Sequence, residues 1–283
     1  MAKPTKVIAG FPNTRRGEFT LLKTDPKREL LAYALDRAVV LRPLLPTDKP
    51  TLLYTEHSYP VTSLEFAPSG SYVASGDASG VVRVWACDNP DLILKLESPM
   101  LGGPVLDLAW SGDSQRIAAV GEGREAKGKV VMWDSGNSVG DISGHTKKIN
   151  SVAFKPNRPF RIVTGGEEGN VNIHHGPPFK FAGRLREHTR FVNVVRYSPD
   201  GARVLSASSD MSLAVYDGKD GSEAASKKLH QGSIFGAAWS PDSARIATAS
   251  ADKTVGIFDA ATLDEVAAVS LGTRVEDMQV GCI

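Results

Sequence analysis

The sequence predicts an all-β chain: a β-propeller of six four-stranded blades followed by the first strand of a seventh, an incomplete ring. Three observations predict it. Apolar residues alternate with period two and are interrupted by Pro, Gly, Asp and Ser, as in Phe191 to Tyr197, Arg203 to Ser208 and Ser212 to Tyr216. That pattern marks short antiparallel strands joined by tight turns. Runs ending at Trp85, Trp133, His174, Tyr216 and Phe258 fall into register at spacings of 48, 41, 42 and 42 residues, and an earlier copy ends at Leu41. Upstream marks repeat as well. His57, His145, His188 and His230 precede first strands, and Ala67-Pro68-Ser69-Gly70, Ser198-Pro199-Asp200-Gly201 and Ser240-Pro241-Asp242-Ser243 close them. A period in the low forties with four strands per unit is that of propeller blades. One blade cannot cover both its faces, so blades stack around an axis and bury a ring of apolar side chains.

Residues 1–19 form an N-terminal segment with one short apolar run, Val7-Ile8-Ala9, and the propeller spans 20–283. Thr20-Leu21-Leu22, Leu30 to Leu35, Ala38 to Leu41 and the outer Thr51 to Tyr54 read as a degenerate first blade. Blades two to six follow from His57, Pro104, His145, His188 and His230. Ala74-Ser75-Gly76, Thr164-Gly165-Gly166 and Ala247-Thr248-Ala249 are small enough for second strands crowded toward the inner ring, and Trp85, Trp133 and Tyr216 are expected to be buried. After the outer strand Glu265 to Leu271, Val275 to Ile283 reads as the first strand of a seventh blade. Open edges invite aggregation, so the sequence reads as truncated.

Lys and Arg total 33 against 32 Asp and Glu, a net charge of +1. No basic excess points to nucleic acid and no polybasic run to a membrane surface. The opening residues lack the apolar core of a signal peptide, and no stretch reaches the length of a membrane span. With two cysteines, Cys87 and Cys282, and no Asn-x-Ser/Thr acceptor, the expected compartment is the reducing cytosol.

His188, Ser206, Asp210 and Tyr216 recur as His230, Thr248, Asp252 and Phe258. This set resembles the WD-repeat family, in which it is a structural hydrogen-bonded group. It also has the composition of a catalytic triad, but an active site would not recur blade after blade. Phe258 cannot donate a hydrogen bond, so its set is incomplete. A propeller hydrolase would need convergent, non-repeating polar residues in the central channel; none is legible, and the chain reads as a non-enzyme without cofactor or metal.

Residues that break the repeat are the candidates for function. Val120 to Val130 make a long charged hairpin, a surface for contact or merely a solvated turn. Within it, Gly123 to Lys129 spells Gly-x4-Gly-Lys, but a phosphate loop needs Ser or Thr where Val130 stands, and a helix after it. Gly176-Pro177-Pro178-Phe179-Lys180-Phe181 opens an outer strand with two fixed prolines. Phe179 is expected between blades. Phe181 and Phe191 then compete for exposure as an aromatic anchor near Lys180, Glu167 and Glu168, the composition of a protein interface. His174 and His175 point to opposite faces of a strand with no third metal ligand nearby.

Tyr54-Thr55-Glu56-His57, Gly121 to Glu125, Trp133 to Gly140, Arg158-Pro159-Phe160-Arg161 and Gly176 to Phe181 are not general features of the repeat. Together they closely resemble the amino-terminal propeller of the actin-interacting protein 1 family, along essentially the whole chain. The resemblance implies two seven-bladed propellers arranged like an open clamshell, of which this chain is less than half. It implies binding to actin filaments decorated with cofilin, promoting their severing and disassembly and capping the ends; the chain is expected to be a monomer. Matched motif by motif, the residues implied in that contact are Glu125, Glu167, Lys180, Phe181 and Phe191. The family commonly has Asp where Glu167 stands. The alternative is a generic WD-repeat adaptor, such as a substrate receptor in a larger assembly.

Overall fold

Every blade starts at the central channel and is laid down outward, strand by strand. A computed structural model describes residues 10, 12, 20–27, 29–45 and 50–272. The first blade is β1 (Leu22–Thr24), β2 (Leu30–Leu35), β3 (Ala38–Pro43) and β4 (Leu52–Tyr54). The second is β5 (Val61–Phe66), β6 (Tyr72–Asp77), β7 (Val81–Ala86) and β8 (Leu94–Pro99), and the third β9 (Val105–Trp110), β10 (Arg116–Gly121), β11 (Gly128–Met132) and β12 (Ser138–Asp141). The fourth is β13 (Ile149–Phe154), β14 (Arg161–Gly166), β15 (Asn170–His175) and β16 (Lys180–Glu187). The fifth is β17 (Val192–Tyr197), β18 (Arg203–Ser208), β19 (Ser212–Asp217) and β20 (Glu223–Lys228), and the sixth β21 (Ile234–Trp239), β22 (Arg245–Ser250), β23 (Thr254–Asp259) and β24 (Glu265–Ser270). Each blade is one antiparallel sheet in sequence order, so the six-bladed propeller expected from the repeat is the fold observed. The run Val7 to Ala9 and the seventh-blade strand from Val275 lie outside the described residues.

Local chemistry explains the hairpins. In Ser198-Pro199-Asp200-Gly201 the Ser198 hydroxyl donates to Asp200 Oδ1 at 2.5 Å and accepts from the Arg203 amide at 2.9 Å. Gly201 closes the turn at φ +70°, a conformation that favours glycine. The second strands are crowded as their small residues imply: a Cβ at Gly76 would lie 2.8 Å from Val105 Cβ in the next blade.

Thr62 Oγ1 donates to the Val105 carbonyl at 2.6 Å, Asn150 Nδ2 to Val192 at 3.0 Å and Asn193 Nδ2 to Ile234 at 2.7 Å. The start of one inner strand is thus tied to the start of the next, and all inner strands run the same way. Turns between second and third strands, and the crossings between blades, therefore share one face, here the upper. Turns joining first to second and third to fourth strands share the lower face. Five buried apolar clusters each bridge one pair of consecutive blades; Trp85, Leu64 and Tyr54 hold the first pair together and Tyr216, Val195 and Val163 the fourth.

One expectation fails in detail. Trp85 and Tyr216 are fully buried, but Trp133 is only partly so, its ring tilted against Tyr72 with centroids 4.5 Å apart. Val73 faces Trp85, twelve residues on, whereas Ile117 faces Val131, fourteen residues on. The longer hairpin adds two residues, so Val131 takes the position of Trp85 and Trp133 falls beyond the end of β11.

Candidate protein interaction surface

The recurring polar set is built into the blades. In the second blade Trp85 Nε1 donates to Ser75 Oγ at 3.0 Å, Ser75 contacts His57 Nε2 at 2.7 Å, and His57 Nδ1 contacts Asp77 at 2.9 Å. The fifth blade repeats it with Tyr216, Ser206, His188 and Asp210 at 3.0, 2.8 and 3.1 Å. In the sixth, His230 joins Thr248 at 2.7 Å and Asp252 at 2.9 Å while Phe258 meets the imidazole only by its edge. The hydroxyls of Ser75, Ser206 and Thr248 belong to residues with no exposed surface, so these are cross-strand ties. Burial depresses the His57 and His145 pKa values below the usual imidazole range. For Asp77, burial opposes ionisation, but hydrogen bonds from Ser79 and His57 outweigh it and hold the carboxyl low. The set in the second blade, His57, Ser75, Asp77 and Trp85, is the fullest, whereas the resemblance in the sequence is marked at the fifth and sixth.

The fourth blade is different. His145 contacts Thr164 at 2.7 Å and Glu168 at 2.6 Å, but His174 stands where the aromatic should be. Its Nε2 donates to the Ser143 carbonyl at 2.9 Å, and Asn172 Nδ2 donates to the Gly144 carbonyl at 3.1 Å. These two bonds draw the crossing from the third blade down against the fourth. The Phe181 ring covers it: a Cβ on Gly144 would lie 2.7 Å from Phe181 Cδ2.

Glu125, in the six-residue turn between β10 and β11, is exposed on the upper face. Glu167 is on the same face in the turn after β14, partly exposed, with Lys148 Nζ 3.8 Å from its carboxylate. Phe191 is 45% exposed in the crossing to β17, its carbonyl accepting from the Ser209 amide. The third, fourth and fifth blades thus bring Glu125, Glu167 and Phe191 to one face. Phe181, 44% exposed, sits on the flank against the crossing between the third and fourth blades. Lys180 is not with them; it opens β16 at the lower face. Phe179 is buried, packed edge-on against Phe154 at 5.4 Å. Lys148 is the residue the sequence reading lacks, although Lys147-Lys148 stands one residue after His145, past Thr146, in the upper-face crossing.

A family model, the WD domain, G-beta repeat, matches residues 48–86, 136–175, 179–217 and 222–259, more than half of the chain. The chain belongs to the WD-repeat family. Each matched repeat starts with the outer strand of one blade and ends with the third strand of the next, as β16 is joined with β17, β18 and β19 in 179–217. The unmatched stretch between 86 and 136 holds the third blade's first three strands, where the His, the Asp and the aromatic are all missing and the hairpin is long. The chain is 44% identical over 283 residues to WD repeat-containing protein 1 of Xenopus tropicalis and of Gallus gallus, and 43% identical over 282 residues to actin-interacting protein 1 of Drosophila melanogaster. These alignments cover 98% of this chain and 46% of each relative, so the chain spans about half their length.

The first strands of the six described blades line a central channel of about 430 Å³. Contrary to the sequence reading, non-repeating polar residues do converge there. Asp107 of the third blade accepts from Ser151 Oγ of the fourth at 2.8 Å and from Arg196 Nη1 of the fifth at 3.0 Å. The Val152 amide adds a bond at 3.0 Å, and Lys23 pairs with Glu65 nearby. Burial disfavours the Asp107 charge, but Arg196 and the surrounding donors override it and keep the carboxylate ionised. With all its partners inside the cluster, Asp107 acts as an inter-blade clamp.

Proposed function

We propose that this chain is the amino-terminal propeller of a two-propeller protein that binds cofilin-decorated actin filaments, promotes their severing and disassembly, and caps the ends. The observation that carries the reading is the arrangement of Glu125, Glu167 and Phe191 on one face of three successive blades, with Phe181 on the adjoining flank. It is supported by the 43% identity to a protein named actin-interacting protein 1. Half-exposed aromatics set among charges of both signs are what a protein interface uses as anchors. Phe181 is the anchor, held by His174 and the crossing at Ser143 and Gly144. Glu125 and Glu167 act as rim charges, with more effect on encounter and salt dependence than on equilibrium affinity. Lys180, on the lower face, enters only if the partner wraps the flank.

Co-sedimentation with actin filaments tests this. The chain is expected to pellet with filaments in the presence of cofilin and to lose that dependence in Phe181→Ala and Phe191→Ala. Equal pelleting with bare and cofilin-bound filaments, or none with either, would sink the reading and leave a WD-repeat adaptor for other partners.

A further inference from the structure

The lower edge of the fourth blade carries a charge pattern found in neither of the two blades that follow it. At that edge four residues stand in register across the sheet. The Lys155 amide donates to the Arg161 carbonyl at 2.9 Å, Arg161 faces His175, and His175 faces Lys180. In the fifth blade the same places hold Ser198, Arg203, Asp217 and Ser222, and in the sixth Ser240, Arg245, Asp259 and Asp264. There, arginine is matched by aspartate within the row. In the fourth blade serine has become Lys155, aspartate has become His175, and the turn aspartate, Asp200 in the fifth, has become Asn157. Every change moves the charge in the positive direction.

Among the described residues, none of the four pairs with a carboxylate. Lys155 Nζ donates to Asn157 Oδ1 at 2.5 Å, and Arg161 Nη1 donates to the Gly218 and Lys219 carbonyls of the next blade. Arg158, exposed in the same turn, lies over the Phe160 ring at 4.9 Å, as does Arg116 of the third blade at 4.9 Å. Burial, and then Arg161, hold both Lys155 and His175 below their usual pKa ranges, as expected of bases lacking a counter-charge.

We propose that this edge binds an acidic segment of a protein partner, lying extended across the four strands. Neighbouring strands are about 4.8 Å apart, so the row is roughly 14 Å long. Alternate side chains of an extended peptide repeat at about 7 Å, so three carboxylates at alternate positions cover the same length. Asp113 and Asp200, in lower-face turns of the flanking blades, favour a short segment over a long polyanion such as nucleic acid. The edge faces away from Glu125, Glu167 and Phe191, so the proposal does not depend on the actin reading.

The test is titration of the 283-residue chain with a labelled peptide bearing glutamate at alternate positions, its glutamine counterpart, and a single-stranded oligonucleotide, all at one salt concentration. The glutamate peptide is expected to bind about tenfold more tightly than the glutamine one, and more weakly as salt rises. Lys155→Ser with His175→Asp, which writes in the fifth blade's residues, should lower peptide affinity about tenfold at an unchanged melting temperature. Should that variant fail to fold, Arg158→Ala, at an exposed position, is expected to weaken the peptide about threefold and serves in its place. Glu125→Ala and Phe191→Ala on the upper face should leave the peptide unaffected. Equal binding of the two peptides, insensitivity to the lower-edge substitutions, or tighter binding of the oligonucleotide would overturn the proposal.

Discussion

The Phe181 ring stands edge-on to the His174 imidazole, with centroids 6.1 Å apart and planes at 71°. In the second and fifth blades the residue at the place of His174 is turned toward a serine of its own blade, Trp85 toward Ser75 and Tyr216 toward Ser206. His174 instead bonds to Ser143 in the crossing from the third blade. A departure from the repeat in the third strand thus supports an exposed aromatic in the fourth.

Phe181 and Phe179 are two residues apart and should behave oppositely. Phe181→Ala removes a ring that is 44% exposed and is expected to cost about 1 kcal/mol of stability while abolishing cofilin-dependent pelleting. Phe179→Ala empties a buried site and is expected to cost roughly 3–5 kcal/mol. Urea unfolding of both variants, paired with the sedimentation assay, checks this; a Phe181→Ala protein as unstable as Phe179→Ala would make Phe181 a core residue.

The sixth blade lacks one bond that the fifth makes. Phe258→Tyr places a hydroxyl where Tyr216 has one, within reach of Thr248 as Tyr216 is of Ser206. The gain expected is about 1 kcal/mol in unfolding free energy. No gain would mean that the Phe258 edge contact with His230, centroids 5.9 Å apart, already satisfies the site.

Stability should fall with acid in two stages. His57 and His145 titrate below the usual imidazole range when folded, so the unfolded chain binds more protons and stability declines as pH drops below about 6.5. Asp252 is held at about 2 despite the opposing effect of burial, by hydrogen bonds from Thr254, Gln231 and His230. Its contribution is complete above the unfolded carboxyl value of about 4 and is lost as pH falls through 2. Melting temperatures from pH 8 to pH 2 read both stages, and a first stage unaltered by His57→Gln would remove that histidine from the explanation.

The clamp in the channel couples three blades. Asp107→Ala leaves Arg196 without its carboxylate and is expected to destabilise the fold by about 3 kcal/mol. Asp107→Leu combined with Arg196→Met should cost less than the two single changes added together. Strict additivity in a double-mutant cycle would show that the pair, 3.0 Å apart, carries no coupling.

Blade order, strand ends and the polar ties were legible because each is written in local, repeated residues such as Ser198-Pro199-Asp200-Gly201 and His188 with Ser206. Trp133 is less buried than expected because spacing alone does not reveal which side of a hairpin has grown; only the facing of Ile117 and Val131 does. The Asp107–Arg196 pair is separated by 89 residues, and nothing in either strand marks its partner. The burial of Phe179 is legible in the repeat, but Phe181 and Phe191, which compete for exposure in the sequence, are both exposed, and the placement of Phe181 depends on how His174 and Asn172 hold Ser143 and Gly144. Lys180 stands at the lower edge, apart from Glu125, Glu167 and Phe191, because a strand's start and end lie on opposite edges, which a list of motifs does not convey.

The offset between matched repeats and blades bears on how such a ring can change over generations. A unit such as 179–217 carries the fourth strand of one sheet and the first three of the next. If a gene lost or duplicated one whole unit, the sheet robbed of its outer strand would receive an equivalent one from the unit that follows. Every sheet would still have four strands, and only the number of sheets around the axis would differ. A break placed at a blade boundary instead would split a unit and part its outer strand from the three that follow it.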